Sequence, residues 1–198
     1  MITKKILASA CILLFCQPVL AMTLTKEQYV CPIGGEAFTQ VVPGSGTSFG
    51  MRTDFMAIGP IASPWTIPQC PTNKFVMFKD DFTPKELQTY KKIIESAEYK
   101  AITEDSSEYY YLAKLLEGND ENDEDIAWAY LRASWEMSDD ESQKKALNFF
   151  KRSLMVDNLA ILEDTDRDNR INSTLLVGEL TRLSGNFAAA KKHFEKLK

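Results

Sequence analysis

CPIGGEAF at residues 31–38 and CPTNK at residues 70–74 are the stretches that decide how this chain folds. Each begins like a zinc knuckle, a tight turn in which a second cysteine stands three residues after the first. Gly34 and Asn73 occupy those places here. A structural zinc site needs four sulfur or nitrogen ligands. The sequence therefore argues against a zinc cofactor and leaves one cysteine in each turn.

The N-terminus has the pattern of a secretory signal peptide. Lys4 and Lys5 supply positive charge, residues 6–15 form an apolar run too short to span a bilayer, and Val-Leu-Ala at residues 19–21 suits cleavage. We expect residues 1–21 to be removed and the protein to be periplasmic or secreted. The alternatives are an uncleaved anchor and a lipoprotein, and the bulky Phe15 before Cys16 argues against the lipoprotein.

Charge limits the classes of partner. The chain has 23 basic and 28 acidic residues. Removal of the signal takes away two lysines and leaves a net charge of −7. A nucleic-acid binder needs a basic face, which this composition does not favour. No segment after the signal is apolar enough to predict a membrane span.

The remaining chain divides into two parts. Residues 22–82 are rich in Pro, Gly and Thr and have the short segments and turns typical of irregular β structure. Thr83, Pro84 and Glu86 then form a helix start with a capping box, and Asp105 with Glu108 predicts a second one. Residues 83–198 have helical periodicity. The predicted fold class is α+β, mostly α: a small knuckle-containing β module followed by a helical bundle.

The last helices carry a repeat pattern. In a tetratricopeptide pair, large residues lie on the first helix, a small residue lies where the helices cross, and an aromatic residue follows one turn later. We expect two such pairs, joined by a long connection at about residues 157–172. The residues that carry the pattern are Trp128, Leu131, Trp135, Ala146 and Phe150 in the first pair, and Gly178, Gly185, Ala190, Phe194 and Leu197 in the second.

Several of these features together resemble a bacterial family known as domain of unknown function 2225. The resemblance runs from about Tyr29 to the C-terminus, and the segment at residues 178–187 is its most specific stretch. It implies a zinc-knuckle module followed by tetratricopeptide-like helices, and it implies no activity. The other residues that carry it are the two Cys-Pro turns, Arg52-Thr53-Asp54, Gly59-Pro60, Phe82 and the run AWAYLRA at residues 127–133.

This chain departs from the family at Gly34 and Asn73, where the resemblance places the second and fourth thiols. If the family fold is kept, Cys31 and Cys70 lie close together, and an oxidising compartment would join them in a disulfide. Closing a loop of about 40 residues would stabilise the fold by roughly 4 kcal/mol. A redox-active disulfide and a two-cysteine metal site are the alternatives.

A second candidate site is acidic. Asp164, Asp166, Asp168 and Asn172 match the first oxygen ligands of a calcium loop. Asn169 replaces the glycine of the turn, and Leu175 replaces the bidentate glutamate. Calcium is therefore an alternative function, and an ordinary acidic loop between helices is the simpler interpretation.

The third candidate is the face of the helical repeats. Arg132 and Arg182 lie on the first helices of the two pairs and are candidates to bind an acidic peptide, unless they form surface salt bridges. Tyr110 lies off the apolar stripe and is a candidate surface aromatic residue. His193 is the only histidine, and no polar set has catalytic spacing. We therefore expect a non-enzymatic binding or scaffold protein with a peptide or protein partner.

Overall fold

The computed structural model describes residues 22–155 and 164–197, with the side chains of residues 164–166 left outside it. Within these residues the protein is mostly helical with a small β part, as the sequence predicts. The strands are β1 (Thr23–Val30), β2 (Ala37–Ser45), β3 (Gly50–Met51) and β4 (Ala57–Ile58). The helices are α1 (Pro84–Glu95), α2 (Ala97–Lys100), α3 (Glu108–Gly118), α4 (Asp123–Met137), α5 (Asp140–Ser153), α6 (Asp164–Leu183) and α7 (Phe187–Glu195).

Both cysteine turns close antiparallel pairings. β1 pairs with β2, and the pair Val30 and Ala37 flanks the first turn. An isolated bridge between Gln69 and Val76 flanks the second turn. β3 and β4 form a separate two-residue pairing. The β part is therefore a set of small hairpins, each too small to be stable alone in water, and it depends on packing against the helices.

An aromatic cluster joins the second cysteine turn to α1. The rings of Phe75, Phe78, Phe82 and Tyr90 lie 5.2 to 6.0 Å apart, centroid to centroid. Phe75 and Tyr90 are almost completely buried. Burying each such ring stabilises the fold by roughly 2 to 3 kcal/mol before entropic costs. The cluster fixes where the helical part begins.

The start of α1 follows the predicted capping box. The Thr83 hydroxyl accepts from the Glu86 N–H, and the Glu86 carboxylate accepts from the Thr83 N–H. Lys79 adds an ion pair to the same carboxylate. Lys79 first, and then the Thr83 contacts, lower the pKa of Glu86 to about 2. The exposed box therefore keeps its charge over the ordinary pH range.

The later helices pack in chain order as antiparallel hairpins, α4 with α5 and α6 with α7. Ala146 and Phe150 of α5 are fully buried, and Ala190 of α7 is nearly so. A Cβ atom at Gly178 would lie 2.5 Å from Cζ of Phe194. Small residues therefore stand where these helices approach each other most closely.

Two local expectations are wrong. α3 begins one residue after Ser107, whose hydroxyl accepts from the Tyr109 N–H, because Asp105 lies in the preceding turn closed by Thr103 and Ser106. The long connection expected up to residue 172 is also wrong in its second half, since α6 begins at Asp164. The residues there lack glycine and proline, so nothing in the backbone opposes helix.

Candidate functional site

The two cysteine turns share the same backbone hydrogen bonds. The N–H of Cys31 donates to the Glu36 carbonyl at 2.8 Å, and the N–H of Cys70 donates to the Phe75 carbonyl at 2.9 Å. In each turn the cysteine carbonyl also accepts from the N–H four residues later, at 3.0 Å. The backbone at Gly35 and at Lys74 has positive φ. The knuckle-like shape is thus kept in both turns although each has a single cysteine.

A disulfide joins the two turns. The structure pairs Cys31 with Cys70, with 5.6 Å between their Cα atoms. Both residues are buried, at 1% and 0% exposure. Water and small thiols therefore have little access to the bond, which favours a structural role.

Asn73 ties the same two turns together without sulfur. Its amide nitrogen donates to the Ile33 carbonyl at 2.6 Å, and its amide oxygen accepts from the Phe75 N–H at 2.9 Å. The nitrogen also lies 3.6 Å from the Cys31 sulfur. The residue that stands at the expected fourth thiol position therefore bridges the turns. From the sequence, Asn73 was identified only as the residue that stands in place of a zinc-binding cysteine. An asparagine in a Cys-Pro turn gives no indication that its side chain bridges two turns.

A cleft of about 610 Å³ lies beside this pair of turns, where they meet the first three helices. Ile33 comes from the first turn, Leu87 and Ile94 from α1, and Tyr99 and Tyr111 from α2 and α3. The Tyr99 hydroxyl donates to the Lys74 carbonyl at 2.8 Å, which connects α2 to the second turn. Burial raises the pKa of Tyr99, so it stays protonated. The cleft therefore has a largely apolar floor and walls held by the disulfide, Asn73 and Tyr99.

The rim of the cleft carries three lysines and two glutamates. Lys91 lies 4.0 Å from Glu95, so their charges partly offset each other. The ammonium groups of Lys74 and Lys100 have no ion-pair partner among the residues that the structure describes. The second glutamate, Glu104, offsets part of this charge, so three lysines and two glutamates leave one net positive charge on the rim. In a protein with excess acid, a net positive rim beside an apolar floor favours a ligand that combines an apolar group with a carboxylate.

A wider depression of about 750 Å³ lies at the start of α4 and is lined by acidic residues. Asp123 pairs with Arg152 at 2.8 Å, and Glu124 accepts from the Ser173 hydroxyl at 2.9 Å. These carboxylates also lie in the first turn of α4, where they interact favourably with the helix dipole. Its polar groups are largely used within the fold, and we do not treat it as the site.

The arginines predicted to face a groove are engaged inside the molecule. The Arg132 guanidinium lies over the rings of Tyr109 and Trp128, at 5.7 and 5.6 Å from their centroids. Arg182 donates through two nitrogens to both oxygens of Glu179, at 2.8 and 2.7 Å. Of the two uses predicted for these arginines, Arg182 makes the salt bridge, and binding of a peptide by either residue stays a prediction.

Tyr110 is half-buried, and it lies apart from the two arginines. Its ring packs edge-on against Tyr130 at 5.6 Å, and its hydroxyl accepts from Lys145 at 2.9 Å. The Lys145 ammonium lies about 5 Å from both tyrosine rings. The structure therefore places Tyr110 in a contact between α3, α4 and α5 rather than with Arg132 and Arg182.

A turn of the β part lies between Arg132 and Arg182. We call residues 52–55 the strap. The hydroxyl of Thr53 donates to the Glu179 carboxylate at 2.6 Å, and the ring of Phe55 stacks on Trp128 at 6.1 Å. The strap thus bridges α4 and α6 across the face that sequence analysis assigned to a partner.

The acidic candidate site has a different local structure from the one expected. Asp168 and Asn172 lie on α6, and the side chains of Asp164 and Asp166 lie outside the described residues. A calcium loop turns back around its ion, whereas a helix spreads successive residues around its axis. Among the described residues no group of three or more His, Cys, Asp or Glu side chains is placed to share a metal ion. Calcium binding at residues 164–172 stays a prediction, but this segment is helical and does not form the loop on which the prediction was based.

Nearly the whole chain matches a known protein family. A model of the family described as "Uncharacterized protein conserved in bacteria (DUF2225)" matches residues 24–198. The chain belongs to this family. No curated protein and no solved structure matches it.

The DUF2225 match covers both the β part and the helices. Two of the segments that carry the family resemblance meet in space, since Thr53 bonds to Glu179 although 126 residues separate them. Among the described residues, none of the helices is both long enough and apolar enough to span a membrane.

Proposed function

We propose that this protein is an exported, non-enzymatic binding protein that holds a peptide segment of a partner in the cleft beside the cysteine turns. The observation that carries the proposal is the cleft itself, which has an apolar floor, a rim with one net positive charge and a volume of about 610 Å³ where the cysteine turns meet the first three helices. Sites of this volume, with few polar groups around an apolar floor, are typical of ligand binding.

The cleft favours one ligand chemistry. An aliphatic or aromatic side chain would contact Ile33, Ile94 and Tyr99 on the floor. A nearby carboxylate, from an acidic residue or a chain terminus, would pair with Lys74 or Lys100. The partner is therefore expected to present an acidic residue next to a large apolar residue.

Rigid walls support binding. The Cys31–Cys70 disulfide and the Asn73 bridge fix the two turns, and the Tyr99 hydroxyl fixes Lys74 against α2. Because the walls are ordered before the ligand arrives, little binding energy is spent on arranging them. This is the property that a binding or scaffold module needs.

The helices play the supporting part in this proposal. We infer that α4–α5 and α6–α7 are two irregular tetratricopeptide-like pairs, supported by the buried Ala146, Phe150 and Ala190 and by the close approach of Gly178 to Phe194. His193 makes a contact within this second pair, since its Nε2 lies 2.8 Å from the Thr174 carbonyl. Calcium binding gains no support from a helical segment, so we propose partner binding alone.

The test is selection of peptides from a random displayed library on the immobilised, oxidised protein. We expect enrichment of sequences in which Asp or Glu neighbours Leu, Ile or Phe. Lys74→Glu with Lys100→Glu should remove that enrichment and weaken a selected peptide by roughly 10- to 100-fold. The matched control is Lys192→Glu with Lys196→Glu, which makes the same charge change at exposed positions near the end of α7. Failure to enrich any motif, or a motif that both pairs of variants leave unchanged, would contradict the proposal.

A further inference from the structure

The strap occupies a surface that has the features of a second binding site. We call Trp128, Arg132, Glu179 and Arg182 the seat. Glu179 is 5% exposed, which is exceptional for a carboxylate. A buried carboxylate needs donors for its oxygens. Arg182 supplies two of them from the same helix, and the third comes from the strap through Thr53.

The aromatic half of the seat is equally specific. Trp128 stacks on Phe55 and lies perpendicular to the ring of Phe150, with 5.6 Å between the centroids, and Arg132 lies over its ring. These contacts hold the indole in one orientation, so a flat ring is the group that fits against it. The seat therefore accepts one hydroxyl donor and one aromatic ring, spaced by a single residue on the strap.

The strap is held in shape by hydrogen bonds within its own turn. The Arg52 N–H donates to the Met56 carbonyl, and the Phe55 N–H donates to the Arg52 carbonyl. Asp54 is buried and accepts from the Arg52 guanidinium at 2.9 Å. These bonds lie within five residues, so the turn can leave the seat without losing them.

The attachment of the strap to the helices is slight by comparison. Thr53 is exposed, Phe55 is only half-buried, and the flanking strands β3 and β4 have two residues each. Segments with few buried contacts open locally at low free energy. A loop of similar chemistry on another protein could therefore replace the strap.

We propose that the strap is the resident occupant of a peptide-binding seat, and that the seat's partner is a loop of another protein bearing Ser or Thr two residues before an aromatic residue. The Arg182 guanidinium is already satisfied by Glu179, so this partner is not the acidic peptide that the sequence suggested. This second site lies on α4 and α6 and is independent of the cleft beside the cysteine turns.

The test uses the strap itself as the probe, as a synthetic peptide of residues 50–57, GMRTDFMA. The protein carries Thr53→Ala and Phe55→Ala, which empty the seat while the disulfide and the aromatic cluster stay intact. Binding is followed by NMR at the indole N–H of Trp128, assigned with Trp128→Phe, up to millimolar peptide. A local segment competes at a millimolar effective concentration, so a peptide that binds the variant with a Kd of about 0.1 mM should bind the wild type about tenfold more weakly.

Two controls decide the outcome. A peptide with Val for Thr and Ala for Phe should cause no shift, and adding Glu179→Gln to the emptied variant should weaken binding of the original peptide. An indole signal that never moves in a folded, emptied variant would overturn the proposal, as would equal binding to wild type and variant. A concentration-dependent dimer of the wild type with exchanged straps would also overturn it, because the partner would then be a second copy of this chain.

Discussion

The β part meets the helices at two places that are built in opposite ways. The first, the knuckle joint, is the ring cluster around Phe75 and Tyr90, and the two turns behind it are tied to each other within the β part by the Cys31–Cys70 disulfide and Asn73. The second, the strap joint, consists of Thr53 on Glu179 and Phe55 on Trp128. The first joint is buried and backed by a covalent link, and the second is short and partly exposed. The difference teaches that a small module can be fixed at one point and exchangeable at another.

The strongest way to break this comparison is to remove the disulfide. Replacing Cys31 and Cys70 together with Ser opens a link across a sequence separation of 39 and should destabilise the protein by about 4 kcal/mol. The melting temperature, followed by circular dichroism, should fall by roughly 10 °C. A reductant should lower the melting temperature of the wild type to a similar value and should leave that of the variant unchanged. An equal melting temperature for both oxidised proteins would show that the bond does not hold this joint.

The Asn73 bridge should have the next largest effect. Asn73→Ala leaves the Ile33 carbonyl and the Phe75 N–H without their partner and should cost about 2 kcal/mol, measured by urea unfolding. Thr72→Ala is the matched control, because Thr72 is exposed and only its backbone N–H is bonded. A loss no larger than that of the control would mean that the disulfide alone joins the two turns.

Removing the strap contact should lower the free energy of unfolding by less than removing the Asn73 bridge does. Thr53→Val deletes the hydroxyl donated to Glu179 and should reduce the free energy of unfolding by about 1 kcal/mol. A double-mutant cycle with Glu179→Gln isolates the interaction and should give a coupling of similar size. Thr39→Val on the exposed face of β2 is the control for the substitution itself. A loss as large as that of the disulfide variant would erase the distinction between the joints.

The smallest effect should appear as a dependence on pH. Hydrogen bonding and charge from Arg182, and then the Thr53 hydroxyl, hold the pKa of Glu179 below its ordinary value of 4.5. A lowered pKa contributes stability that is present at neutral pH and is lost as the pH falls below that ordinary value. The wild type should therefore lose more stability than Glu179→Gln between pH 6 and pH 3. An equal loss of stability in the two proteins over this pH range would show that the ionised Glu179 carboxylate does not stabilise the strap joint.

The knuckle joint was largely predictable from the sequence because its signals are local. The Thr83 and Glu86 box fixed the start of α1, and the two Cys-Pro turns, through the family resemblance, led to the pairing of Cys31 with Cys70 that the structure contains. Turn chemistry, capping and cysteine position act over a few residues, so a pattern reveals them.

The strap joint was not predictable in this way. Thr53 and Glu179 are 126 residues apart, and no local sequence pattern indicates that they are in contact. Arg182 was predicted to lie on the helical face, and its engagement with Glu179 depends on packing that only the fold reveals. The acidic stretch at residues 164–172 was predicted to be a loop because of its spacing of oxygens, whereas the backbone there forms the start of α6. In both cases the structure depends on tertiary contacts, which a local sequence pattern does not show.

Hydrogen exchange of individual amides in the native protein tests the central claim, that one joint is fixed and the other exchangeable. The N–H groups of Cys31 and Cys70 should exchange only by global unfolding, with rates that depend on denaturant. Those of Arg52 and Phe55 should exchange by local opening, on the order of 100-fold faster or more and independently of low denaturant. Equal rates with the same denaturant dependence at both joints would contradict the account.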